Sequence, residues 1–129
     1  MKVFRTKEFA KFSRRERIAD VQLCEAAERA DNGLVDADLG GGLIKQRIAR
    51  PGQGRSGGYR TLMAFRSKAR TVFVYGFAKN ERGNIDHDEL KYWQQVARSF
   101  LQIDETSLNT LIGKFELMEV VCHGETGIP

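Results

Sequence analysis

The chain has 129 residues, 41% of them hydrophobic and 29% charged, with a formal net charge of +4; this length predicts a single domain able to bury a real core. No apolar run approaches the length of a membrane span, and the opening MKVFRTKEFAKFSRRER lacks the apolar centre of a secretory signal. Cys24 and Cys122 show neither a metal-ligand spacing nor a disulfide framework, so the expectation is two buried or idle thiols in a reducing cytoplasm.

In chain order, Val3 and Phe4 predict a short first strand. Thr6 then caps a helix, its side-chain oxygen accepting from an amide of the first turn, with Phe9 and Phe12 on one face. A second helix starts near Asp20, with Val21, Cys24 and Ala27 at three-residue spacing, and ends at Gly33 after Asn32. Asp36 to Gly42 reads as a polar, glycine-rich loop. Leu43–Ile48, Tyr59–Phe65 and Thr71–Ala78 read as strands, the last two joined across Arg66–Arg70 as an antiparallel hairpin. Asp86 and Glu89 form a capping-box pair before a third helix whose apolar stripe is Leu90, Trp93, Val96, Ala97, Phe100 and Leu101. A fourth helix runs from Asp104 to Gly113, followed by a short apolar segment, Phe115 to Val121, and a loose tail. Helices that flank the strands instead of alternating with them predict an α+β domain, not a doubly wound sheet.

Charge is unevenly spread along the chain. Lys45, Arg47, Arg50, Arg55, Arg60, Arg66, Lys68, Arg70, Lys79 and Arg82 are opposed only by Glu81 in the middle third, whereas the segment beyond residue 82 is acidic. A cluster this one-sided predicts an anionic partner. Within it, Gly52, Gly54 and Gly57 fit G-x-G-x-x-G, the dinucleotide fingerprint. That fingerprint requires a helix to follow the glycines, so that its N-terminus can take the pyrophosphate. Here YRTLMAF follows, and YRTLMAF is a strand. The glycines instead allow a tight loop between strands that carry cations: Lys45 and Arg47 share a face, Arg60 lies on the neighbouring strand and Lys79 ends the next. Together they predict a nucleic-acid or phosphate site.

The runs LVDADLGGGLIKQRIARPGQGRSGGYRTLMAFR and FVYGFAKNERGNI, in this order and spacing, resemble the HigB-like branch of RelE toxins, the toxin halves of type II toxin–antitoxin systems. The similarity covers roughly Val3 to Val121. It implies one RelE-like domain over residues 1–121, with 122–129 as a flexible tail: a small antiparallel sheet with two N-terminal helices packed on it, and C-terminal helices. It also implies metal-independent cleavage of mRNA on the ribosome, in the cytoplasm and without a cofactor, and restraint by a cognate antitoxin that is often a helix-turn-helix protein.

In the better-studied RelE branch, basic residues before S-G-Y-R polarise the scissile phosphate; Lys45 and Arg47 match them, and Arg60 matches the arginine of that motif. A later arginine and tyrosine of that branch are absent, their positions reading Asn80 and Asp86 between or beside Lys79 and Arg82. The chemistry requires a base for the 2′-hydroxyl, cations for the extra negative charge and an acid for the 5′-oxygen. Arg47 and Arg60 suit the charge, since a guanidinium fork binds two phosphate oxygens at once. Lys45 or Lys79 becomes a base if neighbouring cations lower its pKa. Arg50, Arg55, Arg82 and Tyr59 are the expected RNA contacts, with Tyr59 and Tyr75 divided between base stacking and core packing. His87 reads as a solvated first-turn residue, and no His/Cys/Asp cluster has metal-ligand spacing. The same fold also admits a non-catalytic inhibitor of the ParE kind, acting on DNA gyrase, or a plain RNA-binding module.

Overall fold

The periodicities of the sequence become six strands and four helices in the computed structural model, which describes residues 1–50 and 54–122, the side chains of 54–56 excepted. The order is β1 (Lys2–Thr6), α1 (Lys7–Arg15), α2 (Asp20–Asp31), β2 (Ala37–Gly40), β3 (Leu43–Arg50), β4 (Gly54–Arg66), β5 (Arg70–Ala78), α3 (His87–Gln102), α4 (Glu105–Gly113) and β6 (Leu117–Val120). The helix starts follow from local chemistry. Thr6 Oγ1 accepts the Phe9 amide at 3.1 Å. Asp86 accepts the Glu89 amide at 2.9 Å while the Glu89 carboxylate accepts the Asp86 amide at 3.2 Å, a closed capping box. Asp104 caps α4 through the Ser107 amide at 2.8 Å.

The strands form one sheet in the order β2-β3-β4-β5-β1-β6. β1 runs parallel to β5 and every other pair is antiparallel, so the sheet is mixed and not the antiparallel one expected. The reason is connectivity: β1 and β5 are distant in sequence, and no hairpin dictates their relative direction. Helices cover both faces. On one, α1 and α2 bury Phe9, Phe12, Leu23, Ala26, Ala27 and Ala30 against Ile44, Ile48, Tyr59, Met63 and Phe73. Gly76 admits this packing, because a Cβ there would stand 2.4 Å from the Phe12 ring. On the other face, α3 and α4 bury Ala97, Leu101 and Leu108 against Leu43, Leu62, Ala64, Val72 and Val74. The two N-terminal helices thus share one face while the C-terminal pair takes the opposite one.

Several local expectations are corrected. Asp36–Gly42 is not all loop, since it contains the edge strand β2, polar because only β3 pairs with it. In α2 the buried stripe is Leu23, Ala26, Ala27 and Ala30, a true i, i+3, i+4, i+7 set; Val21 is 68% exposed. Phe115 lies before the last strand, 76% exposed and with φ at +59° in the turn that leads into β6. Of the tail expected over 122–129, residues 123–129 lie outside the described residues.

The cysteines are the largest correction. Cys24 of α2 and Cys122 just beyond β6 are joined in a disulfide, their Cα atoms 5.7 Å apart across a sequence separation of 98. Spacing gave no hint, because tertiary packing alone brings α2 beside the end of the chain. A link that closes so long a loop restricts the unfolded chain, and Cys24→Ser is expected to lower unfolding free energy by about 2–4 kcal/mol in urea titrations under non-reducing conditions. Equal midpoints for the variant and the parent would contradict this.

Candidate functional site

Strand register assembles the site. Arg47 and Arg60 are cross-strand partners on β3 and β4, and Arg60 is in turn opposite Phe77 of β5. One step along, Lys45 pairs with Leu62 and Leu62 with Tyr75. Directly opposed residues share a face, so these side chains lie together on the face that carries α3 and α4. The helices cover only the Leu43–Val72 end of it. The end with Lys45, Arg47, Arg60, Tyr75 and Phe77 is a groove bounded by the 79–86 loop and the N-terminal turns of α3. Lys79 follows β5, its amide donating to Gly58 O at 3.0 Å. The four residues expected to be catalytic therefore converge on one surface.

Their electrostatics differ. Lys45 is half-buried and donates to Asn84 Oδ1 at 3.3 Å. Burial first, and then the charges of Arg60, Lys79 and Arg47, push its ammonium below the ordinary lysine pKa, against a small opposing pull from Asp36. Arg60 is only 7% exposed, and burial together with Arg47 lowers its pKa as well. So high an intrinsic value leaves the guanidinium charged at any working pH. Two like charges set side by side store repulsion that an incoming anion relieves.

Arg82 is committed within the protein. Its guanidinium grips both oxygens of Glu89, reaches Tyr75 Oη at 3.3 Å and lies 5.3 Å from the centre of the Phe77 ring, while Nε donates to Asn84 O at 3.1 Å. The Glu89 hydrogen bonds raise its pKa, and Arg82 holds the Glu89 carboxyl below its usual range. Arg82 thus ties the 79–86 loop to α3, which sets the groove wall. Tyr75 stacks on Trp93 with ring centres 4.9 Å apart and forms floor. Asp86 is spent on capping, Asn80 is exposed in the turn after β5, and His87 is an exposed first residue of α3.

Two expected RNA contacts are placed elsewhere. Tyr59 is 3% exposed on the opposite face, packed edge-on against Phe12, with Oη donating to Glu16 O at 3.4 Å. Alternation along β4 forces this: neighbours 59 and 60 must point to opposite sides. Arg50 follows Tyr59, its guanidinium 5.5 Å from the ring centre, and lines a separate cavity of about 330 Å³ with Arg15 and Arg17. The Arg55 side chain lies outside the described residues.

Sequence reasoning missed Asp36, Arg29, Gln46 and Asn84. Asp36 accepts the Arg47 amide at 2.8 Å, Arg47 Nη2 at 3.2 Å and Arg29 Nη1 at 3.3 Å. Burial alone would raise its pKa; the Arg47 and Arg29 hydrogen bonds outweigh it and hold the carboxyl low. Gln46, fully buried, accepts the Asp36 amide at 2.6 Å and donates to Ala26 O and Leu34 O. The available signal was Asp36 standing as an acid just ahead of the cationic strand.

Among the described residues no group of His, Cys, Asp and Glu is arranged to hold a metal ion, and no helix is long and apolar enough to cross a membrane. No curated protein matches the chain at a significant level. The family model for the RelE toxin of the RelE/RelB toxin–antitoxin system matches residues 1–120, which spans every element from β1 to β6 and the whole cationic groove. The chain belongs to the RelE toxin family, whose members are the toxin halves of toxin–antitoxin pairs.

Proposed function

We propose that this toxin is a metal-independent endoribonuclease that cuts mRNA on the ribosome in the cytoplasm, held silent by a cognate antitoxin of the helix-turn-helix type. The observation that carries the reading is the convergence of Lys45, Arg47, Arg60 and Lys79 on one open surface, with Lys45 depressed in pKa by its own neighbours. A lysine in that state sheds its proton more readily near neutral pH and can serve as a base.

In the scheme, Lys45 Nζ removes the 2′-hydroxyl proton and the 2′-oxygen attacks the adjacent phosphorus. Arg47 and Arg60 neutralise the charge that grows on the phosphoryl oxygens, and they do so inside a partly desolvated groove where such contacts are strong. The bond to the 5′-oxygen breaks, and Lys79, the remaining cation of the cluster, protonates it. The products are a 2′,3′-cyclic phosphate and a 5′-hydroxyl end. No step calls for a metal or a cofactor.

The groove floor of Leu62, Tyr75 and Phe77 supports the same reading, since an apolar base beneath cations suits a ligand with both phosphates and rings. Induction of the toxin is expected to arrest translation and to leave message cut within codons, as mapped by primer extension. Intact message accompanied by DNA damage would transfer the assignment to the gyrase-inhibitor alternative.

A further inference from the structure

The fork of Arg47 is already occupied by an internal anion. Asp36 Oδ1 accepts Arg47 Nη2 at 3.2 Å, and Oδ2 accepts the Arg47 amide at 2.8 Å. One carboxylate therefore holds both the guanidinium and the backbone from which it springs. β2 stops pairing with β3 at the Ala37–Lys45 step, so at Arg47 the carboxylate takes the place of the missing strand. Asp36 is itself fixed from three elements. Arg29 of α2 donates to it at 3.3 Å and to Arg47 O at 2.6 Å, while Glu25 steadies Arg29 at 2.8 Å. Gln46, with no exposed surface, accepts the Asp36 amide at 2.6 Å. The Asp36 side chain is 17% exposed and that of Arg47 43%, so the acid lies below and the guanidinium turns its open side outward. Among the described residues Arg47 Nε has no hydrogen-bond partner, which leaves one donor of the fork unused.

We infer that Asp36 is a positioning residue: it presents Arg47 to the scissile phosphate and stands in for that phosphate while the groove is empty. This deepens the proposed cleavage reaction and rests on it. Substrate must compete with Asp36 for Arg47, so the carboxylate weakens ground-state binding while it orients the guanidinium for the step in which charge develops. Its removal should separate the two effects. A neutral side chain frees one cation for RNA and lets that cation wander.

The test compares wild-type toxin freed of antitoxin with Asp36→Asn and Asp36→Glu. Cleavage of ribosome-bound message gives kcat and KM, and anisotropy of a single-stranded RNA oligonucleotide across salt concentrations gives the binding slope. For Asp36→Asn we expect kcat to fall about tenfold to a hundredfold through misplacement of Arg47, and KM to fall as well. The log–log salt slope should steepen by roughly 0.7, one additional phosphate neutralised. Asp36→Glu, which keeps the charge, should recover much of kcat and the parental slope. A fall in kcat with unchanged KM and slope, together with a lower melting temperature, would reduce Asp36 to a prop of the fold and overturn the inference; so would wild-type values throughout. If the parent leaves message intact, the cleavage reading fails on its own, and the anisotropy slope of Asp36→Asn still decides whether Asp36 occupies Arg47.

Discussion

Replacing Lys45 with methionine is expected to slow message cleavage by about 10²–10⁴-fold, the usual contribution of a positioned base, while the domain stays folded. Methionine keeps the length of the stem that crosses the floor of the groove and loses only the amine and its bond to Asn84. The stability sign can be worked out. Lys45 has a folded pKa below its unfolded value, so its charged form is disfavoured by folding. That penalty is present below the folded pKa and is relieved as pH rises through it, so deleting the charge does not destabilise the domain at neutral pH. Activity should follow the same group. The rate is expected to climb with pH as Lys45 loses its proton. Lys79→Met should move the rising limb to higher pH, beyond any loss in rate, because it removes one of the cations that hold the Lys45 pKa down. Cleavage by the Lys45→Met variant at the parental rate would rule Lys45 out as the base.

Gly58→Ala is expected to cost roughly 4 kcal/mol or to prevent folding altogether, an effect of the size that overpacking against rigid atoms produces. A Cβ at that position would stand 2.2 Å from Ile48 O, 2.8 Å from Arg50 N and 3.1 Å from the Ala49 carbonyl carbon. All three are backbone atoms of β3, at the irregularity where the β3–β4 register shifts between Ile48 and Arg50, and none can swing aside. The same variant displaces Tyr59 and Arg60, so the core on one face and the cation on the other are lost together. Gly83→Ala is the control: nothing lies within 4 Å of its would-be Cβ, and a change within about 0.5 kcal/mol is expected in urea unfolding. Melting of Gly58→Ala at the parental temperature would show that β3 yields more than this geometry allows.

Gly58 also explains why the glycine pattern misleads. The fingerprint is spelled by Gly52, Gly54 and Gly57, yet the residue shown to need a bare Cα is the one after it. The requirement comes from the neighbouring strand, not from a phosphate. A strand leaves the glycines, as YRTLMAF predicts, so the helix N-terminus of a dinucleotide site does not form there.

Local chemistry was legible without coordinates. Thr6, Asp86 and Asp104 start helices because their side chains reach amides a turn ahead, an interaction that depends on three or four consecutive residues and little else. The β4–β5 hairpin follows from the short Arg66–Arg70 connection, and the gathering of Lys45, Arg47 and Arg60 on one face follows from the two-residue repeat of paired strands.

What the sequence determined by itself, then, were the elements, their caps and the side of the strand each cation occupies, because these are set by contacts between near neighbours. The tertiary structure decided everything that depends on distant segments meeting. It set β1 parallel to β5, joined Cys24 to Cys122 across 98 residues, carried Tyr59 and Arg50 to the opposite face and brought Asp36 beneath Arg47. Those outcomes turn on which helix covers which face of the sheet and where an edge strand stops, and burial of apolar surface across the whole domain settles both.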